Sequence, residues 1–318
     1  MKPSPVALKN FELLPQRMSL PINLDSLFGA TGERFLEIGF GGGEFLAYLA
    51  KRSPQKHFIG IEFPPESILR LSRVLYEQSI PNVRLIRGDG RYLLRELFQS
   101  QSFDKVLMQF PMPWPKDKHA KHRVMTGHLV DTLADILKVG GRFELVSDQE
   151  WYAREGYRLF SESSCFDAGL FEINPNRDFF TRYEEKWRLE NRNTYRFCVT
   201  LLKSRKSDRI FLNKKMKKYS FENIPARKDI HSLSWQRFNS AESSCEIKEV
   251  LSRERTYLLR MVAADGQYSQ FFNIRLRQRK KDDTWVMAID DSPFPYYTEA
   301  VRFALDAVCE ALKKLLSS

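Results

Sequence analysis

The chain has 318 residues, enough for a catalytic domain of ordinary α/β size and a second, smaller domain. Its formal net charge of +11 favours polyanionic partners, nucleic acid ahead of a membrane, although a basic surface that serves only solubility fits about equally well. No run of about 18 apolar residues occurs, and prolines interrupt the N-terminus, so we expect a soluble, cytoplasmic protein. The 4 cysteines include no C-x-x-C pair, which argues against a zinc site or a disulfide framework.

Short apolar runs alternate with helical patterns over the first two-thirds of the chain. We expect strands at residues 34–38, 57–62, 83–87, 103–110 and 142–147, with a closing strand at 193–202. We expect helices at residues 44–52, 65–78, 91–99, 124–138 and 149–161. This alternation predicts a doubly wound, Rossmann-like α/β sheet of parallel strands, which binds ligands at the carboxyl ends of its strands.

The pattern changes after residue 204. Residues 205–228 are rich in Lys and Arg, and we interpret them as a basic linker. Alternating stretches at residues 246–251, 255–264, 270–279 and 284–290 then predict an antiparallel meander, with an amphipathic helix at 297–315 covering one face. We therefore expect a leader at 1–30, an α/β domain at 31–204, and a smaller α+β domain of unknown role at 229–318.

A glycine-rich loop, Glu37-Ile38-Gly39-Phe40-Gly41-Gly42-Gly43, follows the first expected strand. The glycines at positions 39, 41 and 43 let the backbone turn sharply and approach a ligand closely. A nicotinamide fingerprint would place its third glycine at Glu44, so the dinucleotide interpretation fails there.

Carboxylates stand at the ends of successive expected strands, as Glu37, Glu62 and Asp89, the last followed by Gly90. S-adenosylmethionine has no pyrophosphate to cradle, but it has an ammonium group, a sulfonium and a ribose diol, which all favour carboxylates at strand ends. Any single one of these acids could instead be a helix cap. Together with the glycine loop they predict an S-adenosylmethionine-dependent methyltransferase.

A proline-stiffened loop with basic residues, Phe110-Pro111-Met112-Pro113-Trp114 and onward to Arg123, follows the fourth expected strand. Trp114 offers a stacking face for a base, and cations offer contacts to phosphates. The cations are Lys116, Lys118, Lys121 and Arg123. Taken by itself, an exposed basic loop around a core Trp explains the pattern as well. His119 and His122 lack nearby acidic or Cys ligands, so we expect no metal site.

These motifs together resemble those of the bacterial tRNA (guanine-N7)-methyltransferases, which modify a guanosine in the variable loop of tRNA. The resembling segments are 37–43, Gly60-Ile61-Glu62, 110–123 and Thr181-Arg182-Tyr183-Glu184, and the similarity covers about residues 30 to 203. The resemblance implies that Glu37, Gly39, Glu62 and Asp89 hold the cofactor and that Thr181 and Glu184 close the site from a late loop. It also implies tRNA as the partner and places Asp148 near the target base.

The sequence departs from the family pattern at Met112, where the family has an aspartate that is often treated as catalytic. Guanine N7 has an available lone pair and no proton, so methyl transfer to it needs no general base. It needs in-line placement and stabilisation of a base that becomes cationic, and Asp148 or Glu184 could supply the negative field. Met112 therefore does not exclude activity.

Two other hypotheses stay open. One is an RNA-binding protein whose methyltransferase core is inactive, motivated by Met112 and the additional C-terminal region. The other is a methyltransferase for another RNA position or a small molecule. The C-terminal region itself is either an added tRNA-contacting surface or a solvated face, and its clustered cations are residues 214–218, Arg275, Arg277, Arg279, Lys280 and Lys281. We expect a monomer or a weak homodimer.

Overall fold

The computed structural model describes residues 10–181, 184–185, 189–211 and 216–317. The chain divides into two compact units, Met1–Asp208 and Arg209–Ser318. Arg182 and Tyr183 of the late motif, and Lys214 and Lys215 of the basic stretch, lie outside the described residues.

The N-terminal unit is built on a nine-stranded sheet with the order β1-β4-β3-β2-β5-β6-β9-β7, and β8 also pairs with β9. The strands are β1 Glu12–Leu13, β2 Arg34–Ile38, β3 His57–Glu62, β4 Val83–Arg87, β5 Phe103–Gln109, β6 Leu137–Ser147, β7 Phe166–Asp167, β8 Phe171–Ile173 and β9 Tyr195–Leu201. The helices are α1 Leu24–Phe28, α2 Glu44–Arg52, α3 Pro65–Glu77, α4 Gly90–Leu97, α5 Gly127–Ile136 and α6 Glu150–Ser161. Strands β1 to β6 are mutually parallel and β9 is antiparallel to β6, which confirms the doubly wound α/β prediction.

Local sequence explains where these helices begin. Pro65 stands in the first turn of α3, where a missing amide costs nothing, and Asn23 and Thr126 accept hydrogen bonds from the first turns of α1 and α5. In α3 the buried residues Ile68, Leu71 and Leu75 recur at helical spacing and pack on the sheet.

The prediction of a helix through residue 138 was wrong. Helix α5 ends at Ile136, and β6 begins at Leu137, which pairs with Phe103. The amide of Ser102 donates to the carbonyl of Ile136 at 2.7 Å, so pairing with β5 takes over from the helix at this point. Periodicity along the chain cannot reveal such a tertiary contact.

The C-terminal unit is a six-stranded antiparallel sheet with the order β10-β15-β14-β13-β12-β11. Its strands are β10 Tyr219–Phe221, β11 Arg237–Asn239, β12 Ser243–Arg253, β13 Thr256–Asp265, β14 Tyr268–Gln278 and β15 Trp285–Ile289, and its helices are α7 Arg227–His231 and α8 Glu299–Ser317. Helix α8 buries an apolar stripe that includes Leu305 against alternate residues of the sheet, among them Leu259 and Ile274. This unit is the expected meander with a covering helix. Among the described residues, no helix is long and apolar enough to cross a bilayer.

Candidate active site

Polar side chains end successive strands at the carboxyl edge of the large sheet. Across the sheet they are Asp89 after β4, Glu62 in β3, Glu37 in β2, Gln109 in β5 and Asp148 after β6. The chain order reverses between β2 and β5, and doubly wound sheets bind their ligands at such a reversal. A cleft of about 420 Å³ lies there, and its lining comprises Glu37, the glycine loop 39–43, Glu44, Phe45, Arg70, Gln109, Phe110 and Thr181.

The glycine loop adopts backbone conformations that favour glycine. Gly39, Gly41 and Gly43 have φ values of 71°, 55° and 78°. A Cβ at Gly43 would also lie 2.7 Å from the side chain of the buried Leu71, whereas Gly39 and Gly41 have open space at that position. Glycine at 43 therefore lets α2 begin close to α3, and glycines at 39 and 41 leave backbone exposed toward the cleft.

We expect Gly43→Ala to lower the free energy of unfolding by about 3 kcal/mol, because it combines a left-handed backbone with a clash in the core. Gly42→Ala is the matched control, since its φ is not left-handed and its Cβ would meet nothing closer than 3.9 Å. Denaturant unfolding of both variants measures the difference. Equal free energies of unfolding for the two variants would contradict this account of the loop.

Glu37 is buried beneath this loop. Its side chain is 1% exposed, and its Oε2 atom has no hydrogen-bond partner among the described residues. The pKa of Glu37 is raised from 4.5 to about 8, mainly by burial and in part by the nearby Glu62, while Arg177 opposes the shift. An unpartnered buried carboxylate oxygen in the wall of a cleft is costly unless a donor, best a cation, completes it.

Glu62 fastens the glycine loop to the end of β3. Its Oε2 accepts from the amide of Gly41 at 2.7 Å, and its Oε1 accepts from the amide of Phe63 at 2.7 Å. Carboxylate oxygens can each accept a second hydrogen bond, so Glu62 can still receive ligand hydroxyls.

Asp89 caps α4, since its Oδ1 accepts from the amide of Arg91 at 3.0 Å. The guanidinium of Arg91 pairs with the same carboxylate and also donates to the carbonyl of Lys121. Asp89 therefore acts as a helix cap in this structure. Through Arg91, which contacts both Asp89 and Lys121, it also connects the end of β4 to the basic loop. Gly90 is the first residue of α4, and a Cβ there would lie 3.1 Å from Ile38.

Arg177 is a site residue that we did not predict. Its side chain is only 5% exposed, and its guanidinium donates to Glu184 and Gln109. It also lies 5.4 Å from the ring centre of Phe45 and 5.7 Å from that of Phe110. This buried cation joins the late loop to the end of β5 and lowers the pKa of Glu37. Its only sequence signal is an Arg in a Pro- and Asn-containing loop, which has no motif spacing.

Thr181 and Glu184 form a reciprocal capping box. The amide of Thr181 donates to Glu184 Oε2 at 2.9 Å, and the amide of Glu184 donates to Thr181 Oγ1 at 3.3 Å. Glu184 is 1% exposed, and burial raises its pKa although Arg177 and the Thr181 amide lower it. Because Arg177 and Thr181 already engage the carboxylate, Glu184 orders the late loop, while Thr181 lines the cleft.

Asp148 and Met112 lie apart from the lining of this cleft. Asp148 is half-buried after β6 and accepts from the side chain of Gln149 at 2.7 Å. Met112 is 65% exposed in the proline-stiffened loop. The place of Asp148 near the target base stays a prediction.

The proline-stiffened loop has a strained backbone and an aromatic cluster. Phe110 and Trp114 have φ values of 51° and 48°, which are unusual for bulky residues and concentrate at functional sites. The Trp114 ring centre lies 5.1 Å from that of His122 and 5.7 Å from that of His119.

The basic residues of this loop divide into two kinds. Arg123 donates to the carbonyl of Trp114 at 3.1 Å and stands 5.1 Å over the ring of Trp151, so it holds the loop in shape. Lys116, Lys118 and Lys121 are exposed. These lysines are the cations of the loop that remain available to a phosphate backbone.

Comparison with known proteins shows the family of this chain. A family model described as "Putative methyltransferase" matches residues 32–197. A tRNA (guanine-N(7)-)-methyltransferase of Thermotoga maritima is 34% identical over 96% of this chain and 98% of its own length. The chain belongs to the tRNA (guanine-N7)-methyltransferase family. A relative of the same name from Nitrosomonas europaea is 40% identical over 52% of this chain and 75% of its own length. Another from Thermus thermophilus is 34% identical over 55% of this chain and 56% of its own length.

Family membership confirms the recognition that we based on four separated motifs. The alignment with the Thermotoga maritima protein extends over 310 residues, so it includes most of the C-terminal unit.

Proposed function

We propose that this chain transfers a methyl group from S-adenosylmethionine to N7 of a guanosine in the variable loop of tRNA. The observation that carries the proposal is the buried Glu37, whose Oε2 has no partner among the described residues in a cleft at the sheet's reversal point. Similarity over nearly the full chain to a relative named for this reaction supports the choice of substrate. The proposal includes a cytoplasmic location, and a monomer or weak homodimer stays a prediction.

The residues present suit S-adenosylmethionine, which supplies a methyl group on an electrophilic sulfonium when bound. Glu37 would accept the ammonium group, because a cation satisfies its orphan oxygen. Glu62 would accept ribose hydroxyls while it holds Gly41, and Asp89 and Gly90 at the end of β4 would border the adenine. Gly39 and Gly41 would leave room for close backbone approach of the cofactor.

On the substrate side, Trp114 and His119 would stack on a base, and Lys116, Lys118 and Lys121 would bind phosphates. Arg123 would act through the shape of the loop. Since N7 carries no proton, the chain needs to orient the guanine and to offset its developing positive charge. We assign the second task to Asp148, because Glu184 is already engaged by Arg177 and Thr181.

Nucleoside mass spectrometry tests the proposed reaction. Purified protein is incubated with tRNA and S-adenosylmethionine, the tRNA is digested, and its methylated nucleosides are identified. We expect 7-methylguanosine as the product. A methylated amine or another methylated nucleoside would redirect the proposal to a different RNA position, and tRNA binding without any turnover would favour an inactive core.

We expect Met112→Asp to change kcat by less than about ten-fold, because methylation at N7 needs no general base. Met112 is 65% exposed, so the substitution should alter the free energy of unfolding by no more than about 0.5 kcal/mol. Single-turnover rates at saturating tRNA compare the two proteins. A rise of a hundred-fold or more would mean that a carboxylate at this position carries chemistry that positioning alone does not replace.

A further inference from the structure

The sheet of the C-terminal unit has two different faces. Along β14 the even-numbered residues 268–276 are buried, and Phe272, Ile274 and Leu276 belong to the core that includes α8. The odd-numbered residues point to the opposite face, as strand geometry requires. They include Phe271, Asn273, Arg275 and Arg277. None of these four is buried, so this face of β14 is open to solvent.

A basic cleft of about 510 Å³ lies at one end of the open face. Its lining comprises Lys218, Arg275, Arg277, Gln278, Arg279, Lys280, Lys281, Val286 and Ala288, which come from the chain before β10, from β14 and β15, and from the turn between them. Among the residues that the structure describes, none in this lining is acidic. Six cations therefore share the wall of one concave site.

Most of this charge is not neutralised within the protein. Arg275 pairs with Asp290 at 2.8 Å, and Arg279 lies 3.8 Å from Asp282. For Lys218, Arg277, Lys280 and Lys281, no carboxylate of the described residues lies within ion-pair distance. Their mutual repulsion does not stabilise the fold, so the cluster is best explained by an external polyanion.

An exposed aromatic ring accompanies the cations on the same face. Phe271 is 70% exposed and lies on the same strand as Arg275, about 13 Å away by strand rise. Its cross-strand partner on β13 is Val262. A groove that tracks a phosphate backbone beside an aromatic surface for bases is the combination that RNA-binding sheets use. An acidic protein would satisfy the charges but would not require the ring.

We propose that this basic cleft and Phe271 form a second RNA-binding site, which holds the phosphodiester backbone of tRNA by Arg277, Lys280, Lys281 and Lys218 and stacks an unpaired base on Phe271. The inference rests on the proposed function for the identity of the RNA. It adds a contact surface outside residues 32–197, to which the family model is restricted.

Salt-dependent binding of full-length protein to tRNA tests this site. The test variant reverses three cleft charges, Arg277→Glu, Lys280→Glu and Lys281→Glu. The matched control reverses three exposed charges of α7 and α8 in the same unit, Arg227→Glu, Lys228→Glu and Lys314→Glu. We expect the cleft variant to raise the tRNA Kd by at least about ten-fold and to reduce the slope of log K against log salt by about 2 to 3, as loss of three phosphate contacts requires. The control variant should keep the wild-type Kd, and its salt slope should differ from the wild-type slope by no more than about 1, the change that loss of one phosphate contact would produce.

A second variant, Phe271→Ala, separates stacking from charge. It should weaken tRNA binding by about ten-fold while leaving the salt slope unchanged. Circular dichroism confirms that each variant is folded. If the cleft and control variants show the same Kd and slope, the second site does not exist.

The methylation assay on wild-type protein separates this inference from the proposed function. If the wild-type protein methylates tRNA and the cleft variant keeps the wild-type salt slope, the second site is disproved and the proposed function stands. Conversely, absent methylation with a reduced slope in the cleft variant overturns the proposed reaction and supports the second site.

Discussion

Glu37→Gln should weaken S-adenosylmethionine binding by about 100-fold or more at pH 8. The wild-type carboxylate is fully desolvated, and one of its oxygens has no partner among the described residues, so a ligand ammonium gains a charge-assisted hydrogen bond there. An amide is of similar shape but cannot neutralise a buried cation, and removing one partner of a buried ion pair costs about 3–5 kcal/mol. Isothermal titration calorimetry measures both affinities directly.

The pH dependence of binding is the sharper signature. Burial holds the pKa of Glu37 at about 8 in the unliganded protein, so the side chain is protonated at pH 6 and must lose that proton to accept an ammonium. Wild-type affinity should therefore rise by about ten-fold per pH unit between roughly pH 5 and 8 and level off above that range. About one proton should be released on binding below pH 8, which titrations in buffers of different ionisation enthalpy measure.

Two controls accompany this prediction. Glu37→Gln should remove the pH dependence, whereas Glu44→Gln, which alters another carboxylate in the cleft lining, should leave it in place. A wild-type affinity that is independent of pH from 6 to 8 would contradict the role of Glu37.

The stability of the unliganded protein gives an independent check on the same pKa. The folded-state pKa of Glu37 lies above its ordinary value of 4.5, so the stabilising contribution of the protonated side chain is present below pH 4.5 and is lost as pH rises through about 8. Relative to wild type, Glu37→Gln should therefore gain stability progressively across this window. Unfolding of both proteins by urea at several pH values measures the difference.

Arg177→Ala should lower the free energy of unfolding by about 3–5 kcal/mol, because it leaves the buried Glu184 carboxylate without its cation. It should also raise the pKa of Glu37 above 8, since Arg177 opposes the effects of burial and Glu62. The pH at which cofactor affinity levels off should then move upward, an effect that loss of stability alone does not produce.

Arg177→Lys and Arg196→Ala complete this experiment. Lysine keeps the positive charge but lacks the planar guanidinium that donates to both Glu184 and Gln109. We therefore expect Arg177→Lys to have a pH profile close to that of the wild type but a free energy of unfolding below the wild-type value. Arg196 is 25% exposed and pairs with Glu172 away from the cleft, so its removal should cost less than about 1 kcal/mol and leave the pH profile unchanged. If Arg177→Ala behaves like Arg196→Ala, Arg177 has no positioning role.

The sequence predicted most of the fold because its signals are local. Strands β2, β3 and β4 and helix α2 have the bounds expected from their apolar runs and the glycine loop. The alternation in the C-terminal unit likewise predicted β12 to β15 and α8 to within a few residues. The edge strand β1 was missed, because its two residues carry no periodicity and are defined by pairing with β4.

The site was less predictable, because its organisation depends on contacts between distant segments. Strand ends and glycines located Glu37 and Glu62, but nothing in the loop sequence indicated that Arg177 would be buried between Glu184 and Gln109. The family resemblance implied that Thr181 and Glu184 close the site, and in the structure the two residues form a capping box. The contacts of Arg177 have no signature in composition or spacing, so they required the structure.

Fragment mapping of methylated tRNA locates the transferred methyl group. After a single turnover with wild-type protein, tRNA is cut by a base-specific ribonuclease and the mass of each fragment is measured. The methylated fragment is then digested to nucleosides, and its methylguanosine isomer is identified by chromatography against standards. We expect one added methyl group, on N7 of a guanosine in the variable-loop fragment. With Glu37→Gln, at a cofactor concentration below the Kd of the wild-type protein, we expect the methyl group to appear at least about a hundred-fold more slowly. A methyl group at another atom or in another fragment, or an equal rate with Glu37→Gln, would contradict the proposed function.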